Sequence, residues 1–239
     1  MRATICLPTY NERENLEAMI RALADVMRDG DRVLVIDDAS PDGTGEIADS
    51  LAAELEFVDV LHRATKEGLG PAYLAGFREA LTTDAELVLE MDCDFSHDPA
   101  EVPQLIAAAE HGADLVLGSR YIPGGSIPNW GLLRRLISSA GNLYARVILG
   151  SRIHDLTGGF KCFRRIVLET IDLGAIESKG YAFQIETTYR VARAGFRIVE
   201  VPITFVDRTA GTSKMSRAVV LEAVRTVPLL RLRSLIGRL

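Results

Sequence analysis

Residues 32–55 read RVLVIDDASPDGTGEIADSLAAEL and contain a complete strand, turn and helix. The very apolar, β-rich run RVLVID predicts a strand. Pro41 and Gly43 predict a tight turn, after which the apolar residues of 44–55 recur at helical spacing. Thr44 is placed to cap this helix. A strand that turns directly into an amphipathic helix is the repeating unit of an α/β fold.

The same alternation extends on both sides of this unit. The predicted strands are 3–7, 32–37, 57–62, 86–92 and 114–119, and the predicted helices between them are 13–28, 44–55, 71–82 and 99–111. Strands and helices that alternate in this way predict an α/β fold with a mostly parallel central sheet and flanking helices.

Beyond residue 120 the pattern changes. The sequence predicts a turn-rich loop over 121–128, a long helix over 131–149, helices over 165–173 and 182–195, a strand over 197–206, a loop over 207–215 and a basic amphipathic helix over 216–239. A chain of 239 residues is short for two full-size domains. We therefore expect one domain over 1–215, followed by the helix 216–239.

Charge and cysteine content exclude several classes of protein. The chain has 27 Lys and Arg against 33 Asp and Glu, a net charge of −6, which argues against a nucleic-acid partner. Residues 216–239 are the exception, with five arginines and one glutamate. The three cysteines lack zinc-site spacing, and no apolar run is long enough to span a membrane. These features predict a cytoplasmic protein without a membrane span.

Two carboxylates follow the strand predicted over 86–92, in the motif Asp92-Cys93-Asp94. Ligands of open parallel sheets bind beyond the carboxyl ends of the strands, so a site is expected here. Carboxylates without nearby Cys or His favour Mg²⁺ or Mn²⁺, which substrate phosphates commonly complete. The pattern alone is weak, because paired acids also occur as solvated turn residues. Its place at a strand end favours a nucleotide-diphosphate site.

Asp37 and Asp38 end another predicted strand. Two adjacent carboxylates repel each other unless donors from a ribose, a base or a side chain meet them. The alternative is ordinary turn chemistry, which explains Pro41 and Gly43 but not the two acids. The pair therefore favours nucleoside binding.

Cationic and hydroxyl side chains are expected near the same edge of the sheet. Arginine suits bidentate recognition of phosphate, although an isolated arginine more often forms a surface ion pair. The candidates for an anion pocket beside the metal are Arg120 after the strand 114–119, Arg134 and Ser138 on the helix 131–149, and Arg208 and Lys214 in the loop 207–215.

These motifs, in this order, resemble the family 2 glycosyltransferases of the GT-A fold, and among them the polyprenol (dolichol) phosphate mannose synthases. The resemblance runs from about residue 3 to residue 215. Its motifs are PTYNE (8–12), DDASPDGT (37–44), KEGLG (66–70), MDCDFSHDP (91–99), GSRY (118–121), Trp130 with RRLIS (134–138), DLTGGFK (155–161) and RTAGTSK (208–214). It implies that 1–215 is a GT-A catalytic domain, Rossmann-like, with a mostly parallel central sheet and flanking helices.

The resemblance also implies roles for individual residues. The nucleotide sugar would be held by Pro8, Tyr10, Glu12, Ile36, Asp38, Asp92, Cys93, Asp94, Arg208 and Lys214. Mg²⁺ or Mn²⁺ would be held by Asp92 and Asp94, with Ser96 as a direct or water-mediated ligand. The acceptor phosphate would be held by Arg120, Arg134 and Ser138. The implied catalytic set is Asp92, Asp94, Arg120 and Arg134.

The reaction that the resemblance implies is inverting transfer of mannose from GDP-mannose to a polyprenyl monophosphate, giving a β-linked product. A lipid monophosphate is mostly a dianion at pH 7 and needs no general base. One alternative is the same chemistry with another donor, such as UDP-glucose. The other is a non-catalytic nucleotide-sugar-binding module, which predicts erosion of the acidic pair or the cationic residues; both are present.

A polyprenyl acceptor lies in a bilayer, so the protein is expected to visit the cytoplasmic face of a membrane as a peripheral protein. The helix 131–149 has an apolar face opposite a basic one, and the tail from residue 216 is basic, so both are candidates for reversible docking. The alternative is that both helices pack on the sheet, with Leu229, Leu230, Leu232 and Leu235 in the core. The resemblance also allows a membrane-anchoring partner subunit.

Overall fold

Seven strands form one central sheet in the computed structural model, which describes residues 1–128, 130–178, 180–206 and 217–237. The strands are β1 (Ala3–Thr9), β2 (Arg32–Asp37), β3 (Val58–His62), β4 (Leu87–Glu90), β5 (Leu115–Ser119), β6 (Lys161–Arg164) and β7 (Ile198–Pro202). Their order is β3-β2-β1-β4-β6-β5-β7, and every pair is parallel except the two that include β6. The predicted α/β fold with a mostly parallel sheet is confirmed.

The sequence pattern does not predict β6, the one reversed strand among those described. It has only four residues, KCFR, and two of them are cationic, so it lacks the apolar run that marks the other strands. In the sheet it fills the space between β4 and β5, where Cys162 pairs with Leu89 on one side and Val116 on the other. The pairing is therefore decided by the two neighbouring strands rather than by local propensity.

Eight helices flank the sheet within the described residues. They are α1 (Leu16–Ala24), α2 (Thr44–Glu54), α3 (Leu69–Ala80), α4 (Val102–Glu110), α5 (Leu132–Leu149), α6 (Arg165–Thr170), α7 (Gly180–Arg193) and α8 (Arg217–Leu235). Each predicted helix is present, and the bounds differ by a few residues. The strand predicted over 197–206 ends at Pro202, because only Ile198–Pro202 pairs with β5.

The start of α2 corrects one prediction. Thr44 is the first residue of the helix and not its cap, and Gly43 precedes it in a left-handed conformation, with φ of 92°. The capping contact comes instead from Asp42, whose Oδ1 accepts hydrogen bonds from the Thr44 N–H (3.1 Å) and hydroxyl (2.6 Å). A carboxylate beside the first turn of a helix also interacts favourably with the helix dipole.

The core has one apolar layer on each face of the sheet. On one face α1, α2 and α4 bury side chains such as Ile20, Leu51 and Leu105 against the strands. On the other face α3, α6 and α7 bury an aromatic set in which Tyr73 and Phe77 are fully covered. All three cysteines are free and buried in these layers, and burial raises the pKa of each thiol.

Helices α5 and α8 lie outside these layers, on α7, and share a third apolar cluster. The buried side of α5 contains Asn142, Ala145 and Leu149, whereas most of its large apolar side chains point away from the protein. On α8 Leu230 is buried, but Leu229, Leu232 and Leu235 are exposed, so the alternative in which all four pack in the core is wrong. We call the ten exposed apolar side chains of these two helices the apolar belt: Leu132, Leu133, Leu136, Ile137, Leu143, Val147, Val224, Leu229, Leu232 and Leu235.

Across the described part of the chain, every helix is too short or too polar to cross a bilayer.

Candidate active site

The predicted motifs meet at one edge of the sheet. Since β1, β2, β4, β5 and β7 point in the same direction, the loops that follow them begin at the same edge. β6 runs the opposite way, so the segment 154–160 that leads into it reaches this edge too. The topology thereby brings together loops that are far apart in the sequence, as expected for an open α/β sheet.

The loops after β1 and β2 are joined by hydrogen bonds. The backbone N–H groups of Asn11 and Glu12 donate to the hydroxyls of Ser40 (3.1 Å) and Thr44 (3.0 Å). Asp37 is buried and accepts from the Thr9 hydroxyl (3.2 Å) and from the Ser40 hydroxyl (2.6 Å). Side-chain donors therefore satisfy Asp37, which acts as a turn residue.

Asp38 has a different partner. Its carboxylate forms an ion pair with Arg63, a half-buried residue from the end of β3 that also pairs with Glu67. Beside it, the Lys66 ammonium lies 3.5 Å from the centre of the Tyr10 ring. Asp38 and Tyr10 thus belong to one charged and aromatic cluster, to which the loop after β3 contributes two cations.

Pro8 and Ile36 lie next to each other on β1 and β2, near the strand ends. The Ile36 side chain is fully buried and packs toward α3, where its Cδ1 lies against Gly76. Its side chain is therefore a core contact, and any contact with a ligand falls to its backbone.

The Asp92-Cys93-Asp94 turn begins directly after β4. Asp92 accepts a hydrogen bond from the Tyr73 hydroxyl (3.3 Å), and Asp94 is buried and accepts from the Ser96 N–H (3.0 Å). Cys93 points into the core, away from the two acids. The turn needs a left-handed residue at Phe95, with φ of 59°, which is unusual for an aromatic side chain.

These residues fit a divalent cation. Asp92 and Asp94 come from one turn, and the Ser96 hydroxyl is fully buried with no hydrogen-bond partner among the described residues. A buried unpartnered oxygen beside a carboxylate is costly unless something else coordinates it. Within the described part of the chain, however, no group of three or more His, Cys, Asp or Glu residues converges on one point. The protein thus offers two carboxylates and a hydroxyl, an oxygen set suited to Mg²⁺ or Mn²⁺ completed by other ligands.

A row of rings connects this turn to Arg134. The Asp92 N–H donates to Nδ1 of the buried His97 (3.1 Å), and the His97 ring lies 5.5 Å from Phe205. Phe205 in turn lies 5.7 Å from Trp130, and the Arg134 guanidinium stacks 4.0 Å from the Trp130 ring. Arg134 and the acidic turn therefore belong to one continuous set of contacts.

Arg120 belongs to the same set of contacts, but its guanidinium is also bound by residues of the 154–160 segment. Its guanidinium lies 5.2 Å from the Phe205 ring and forms a bidentate ion pair with the fully buried Asp155, at 2.7 and 2.8 Å. Arg120 also donates to the Thr157 hydroxyl (2.9 Å). Its positive charge is thus partly balanced by the protein itself.

Ser138 lies next to this pair on α5. Its hydroxyl accepts a hydrogen bond from Tyr121 (2.7 Å), the residue that follows Arg120. The predicted acceptor residues Arg120, Arg134 and Ser138 are therefore neighbours in the structure. Arg208 and Lys214, the remaining predicted phosphate ligands, lie outside the described residues.

A family model described as glycosyl transferase family 2 matches residues 4–172. This chain belongs to that family. An undecaprenyl-phosphate mannosyltransferase of Micrococcus luteus is 53% identical over 227 residues, which cover 95% of this chain and 93% of the relative. A polyprenol monophosphomannose synthase of Mycolicibacterium smegmatis is 49% identical, over 93% of this chain and 84% of the relative.

Solved structures agree on the fold of this family 2 glycosyltransferase. Glucosyl-3-phosphoglycerate synthase of Mycobacterium tuberculosis, in complex with UDP, superposes with a TM-score of 0.70 at 21% identity, covering 96% of this chain and 80% of the other. A second structure of that enzyme, with Mn²⁺, UDP and glucosyl-3-phosphoglycerate, gives a TM-score of 0.65, covering 99% of this chain and 79% of the other. The likeness identifies the GT-A fold.

Several residues of this glycosyltransferase site are not predicted from the sequence. Arg63 and Lys66 follow a weak strand, and nothing local marks them as partners of Asp38 and Tyr10. His97 lies in a quoted motif, yet only the structure shows that it supports the Asp92 backbone. A further buried pair, Lys161 and Glu90 at 3.7 Å, lies on β6 and β4 beneath the acidic turn, and burial raises the pKa of Glu90 to about 7.

Proposed function

We infer that this glycosyltransferase transfers mannose from GDP-mannose to a polyprenyl monophosphate at the cytoplasmic face of a membrane, with inversion at the anomeric carbon. The observation that carries the proposal is the chain of contacts through Phe205, which lies against Arg120 directly, against Arg134 through Trp130 and against the acidic turn through His97. Such a site can hold a diphosphate and a monophosphate side by side. The names of the two relatives support the sugar and the lipid acceptor.

The donor nucleoside is assigned to the cluster of Tyr10, Asp38, Arg63 and Lys66, together with Glu12 and the backbone of Pro8 and Ile36. Asp38 accepts hydrogen bonds, and the Tyr10 ring provides a flat apolar surface. A base that enters here exchanges the contact between Lys66 and Tyr10 for a stacking contact of its own. Arg208 and Lys214 are proposed to approach the donor phosphates.

Asp92 and Asp94 are proposed to hold Mg²⁺ or Mn²⁺, with Ser96 as a third oxygen ligand. Mg²⁺ or Mn²⁺ bound there supplies positive charge that stabilises the diphosphate leaving group. Cys93 contributes through its backbone, since its thiol lies in the core.

The acceptor phosphate is assigned to Arg134, with Ser138 and Arg120 beside it. Arg134 is stacked on Trp130, which orients the guanidinium. The polyprenyl monophosphate is mostly a dianion at pH 7, so it attacks the anomeric carbon without a protein base. The protein therefore contributes positioning and charge stabilisation.

The acceptor's polyprenyl chain requires contact with a bilayer. We assign this contact to the apolar belt of α5 and α8. The α5 part of the belt lies on the same helix as Arg134 and Ser138. The arginines of α8 add electrostatic attraction to an anionic leaflet. This arrangement delivers the lipid phosphate to the site while the protein stays peripheral.

A transfer assay tests the proposal. The purified chain is given radiolabelled GDP-mannose, UDP-glucose or UDP-N-acetylglucosamine with a short polyprenyl phosphate, with and without Mg²⁺ or Mn²⁺. We expect labelling of the lipid from GDP-mannose only, dependent on the cation, and a β-linked product by NMR. Labelling from UDP-glucose instead would replace the donor, and no labelling from any donor would favour the non-catalytic module or a required partner subunit.

A further inference from the structure

A cavity of about 330 Å³ lies between the ends of α5 and α7 and the C-terminal part of α8. It is open to solvent on one side and is remote from the acidic turn. Three arginines line it, one from each part of its wall: Arg152 after α5, Arg193 at the end of α7 and Arg231 on α8. Ser151 and Tyr189 add hydroxyl groups.

The charge of this cavity is not balanced by the protein. None of its lining residues is acidic, and among the described residues no carboxylate forms an ion pair with any of the three arginines. Within the described ranges Arg231 donates only to the Tyr189 hydroxyl, at a long 3.3 Å. Arg152 and Arg193 are exposed. Three guanidinium groups around one cavity repel one another, and an anion between them relieves that repulsion.

The rest of the wall is apolar. Leu149, Phe196 and Ile198 form part of it, so the cavity can bind a hydrocarbon group as well as an anionic group. Its mouth also adjoins the apolar belt. Leu235 lies four residues after Arg231, on the same side of α8, and its side chain is exposed. An anion held here with a hydrocarbon tail would place that tail along the belt.

We propose that this cavity binds the phosphate of an anionic membrane phospholipid, as a lipid site separate from the acceptor site. The three arginines bind the phosphate, Ser151 and Tyr189 offer hydrogen bonds to the headgroup, and the acyl chains lie along the apolar belt. The continuity of the cavity with the belt favours a lipid over a free phosphate ion.

The site is distinct from the proposed active site. From Arg134 to Leu149 there are four turns of α5, which place the two sites about 20 Å apart along the helix axis. Bound phospholipid would orient α5 and α8 on the bilayer without occupying the acceptor site. The inference does not depend on the proposed function, because lipid binding is measured without sugar transfer.

The test is calorimetric titration of the full chain with monomeric dihexanoyl-phosphatidylglycerol, beside dihexanoyl-phosphatidylcholine, glycerol 3-phosphate and inorganic phosphate. We expect saturable binding of one phosphatidylglycerol. In the double variant Arg152→Gln/Arg193→Gln, Kd should rise at least about tenfold. The matched control is Arg135→Gln/Arg225→Gln, which removes the same charge from exposed positions of α5 and α8 and should change Kd less than about twofold.

A second variant addresses the cavity without changing its charge. Ala192→Trp, at an exposed position of the cavity wall, should also abolish binding by filling the space. The proposal is overturned if both double variants weaken binding equally, since that result indicates general attraction, or if Ala192→Trp binds as the native chain does. Binding of inorganic phosphate as tight as that of the lipid would also overturn it, in favour of a soluble anion.

Discussion

Asp155 and Arg120 form a deeply buried ion pair beside the proposed active site. Both side chains are almost fully covered, and the pair is bidentate. Burial of one charge is tolerated only because the other faces it, so a change to either partner affects stability as well as catalysis. This pair also connects the end of β5 to the 154–160 segment, which lies at the same edge of the sheet as the site.

We expect Asp155→Asn to lower the free energy of unfolding by about 3–5 kcal/mol, because it removes the negative charge that faces the buried Arg120. Urea unfolding measures this loss. The control is Asp59→Asn, whose ion pair with Arg32 is partly exposed and should contribute at most about 1 kcal/mol. Equal effects of the two variants would contradict the argument.

The same pair predicts a pH dependence. Burial opposes ionisation of Asp155, but Arg120 and the hydrogen bonds from Arg120 and Thr157 outweigh it and hold the pKa of Asp155 below its ordinary value. The stabilisation is therefore complete above the unfolded pKa of about 4 and is lost as the pH falls through the lower folded value. The stability difference between native chain and Asp155→Asn should be constant from pH 7 to 5 and shrink below pH 4, as measured by urea unfolding at each pH.

A substitution at Asp94 tests the proposed role of the acidic turn in holding the cation. Asp94→Asn keeps the size of the side chain and removes its charge, and we expect transfer to fall by about 100-fold or more, because less charge is available to hold the cation. The matched control is Asp98→Asn, an exposed residue of the same loop that caps a short helical turn through the Ala100 N–H. Full turnover by folded Asp94→Asn would remove Asp94 from the proposed mechanism.

At the scale of the elements, one hydrogen bond between α5 and α8 depends on a proline. Pro228 lies inside α8 and has no N–H to donate to the Val224 carbonyl four residues earlier. The Tyr144 hydroxyl of α5 donates to that carbonyl instead, at 2.9 Å. The carbonyl that lacks its hydrogen bond within α8 thereby accepts one from α5.

We expect Tyr144→Phe to destabilise the protein by about 1 kcal/mol, the usual net value of one hydrogen bond. In the background of Pro228→Ala the cost should be smaller, because the new Ala N–H can donate to Val224 within α8. A double-mutant cycle by urea unfolding measures this coupling. Identical costs in both backgrounds would show that the Tyr144 hydroxyl does not replace the missing helical donor.

At the scale of the whole molecule, exposed large apolar side chains are concentrated on α5 and α8. Ten of the fourteen in the described residues belong to these two helices, which is more than scattered surface residues would give. Apart from exposed residues such as Arg135, α5 turns its polar side inward, where Asn142 donates to the Thr157 hydroxyl (3.0 Å) and accepts from the Leu156 N–H (2.9 Å). The residues that α5 contributes to the proposed active site and to the apolar belt therefore lie on opposite sides of this helix.

We expect Leu133→Gln/Leu136→Gln to weaken co-sedimentation with anionic vesicles at least about tenfold, because each exposed leucine contributes apolar area on docking. Stability should be unchanged, since both side chains are already in solvent. The matched control is Ile166→Gln, an exposed apolar residue of α6 outside the belt. Unaltered sedimentation of the double variant would contradict docking through α5.

The secondary structure could be predicted from the sequence wherever hydrophobic periodicity was strong. RVLVID is a strand and 132–149 is a helix because local composition and long-range packing favour the same conformation. β6 shows the opposite case, since KCFR becomes a strand only through its two neighbours. Amphipathicity identified the two faces of α5, but not which of them faces the protein.

The candidate site divides in the same way. Its acids, arginines and turn residues could be predicted as members of one site, because parallel strands place their carboxyl ends at one edge. Their partners could not. Arg63 for Asp38, Asp155 for Arg120 and His97 for the Asp92 backbone are tertiary contacts between separate loops.

The sequence by itself determined the α/β fold, the order of the motifs and the edge of the sheet at which they meet, because these depend on periodicity and strand direction. The tertiary structure alone decided which charges are neutralised, that α5 turns its polar face inward, and that three arginines from separate elements surround one cavity. These features depend on distances between segments far apart in the chain, and local sequence patterns carry no information about such distances.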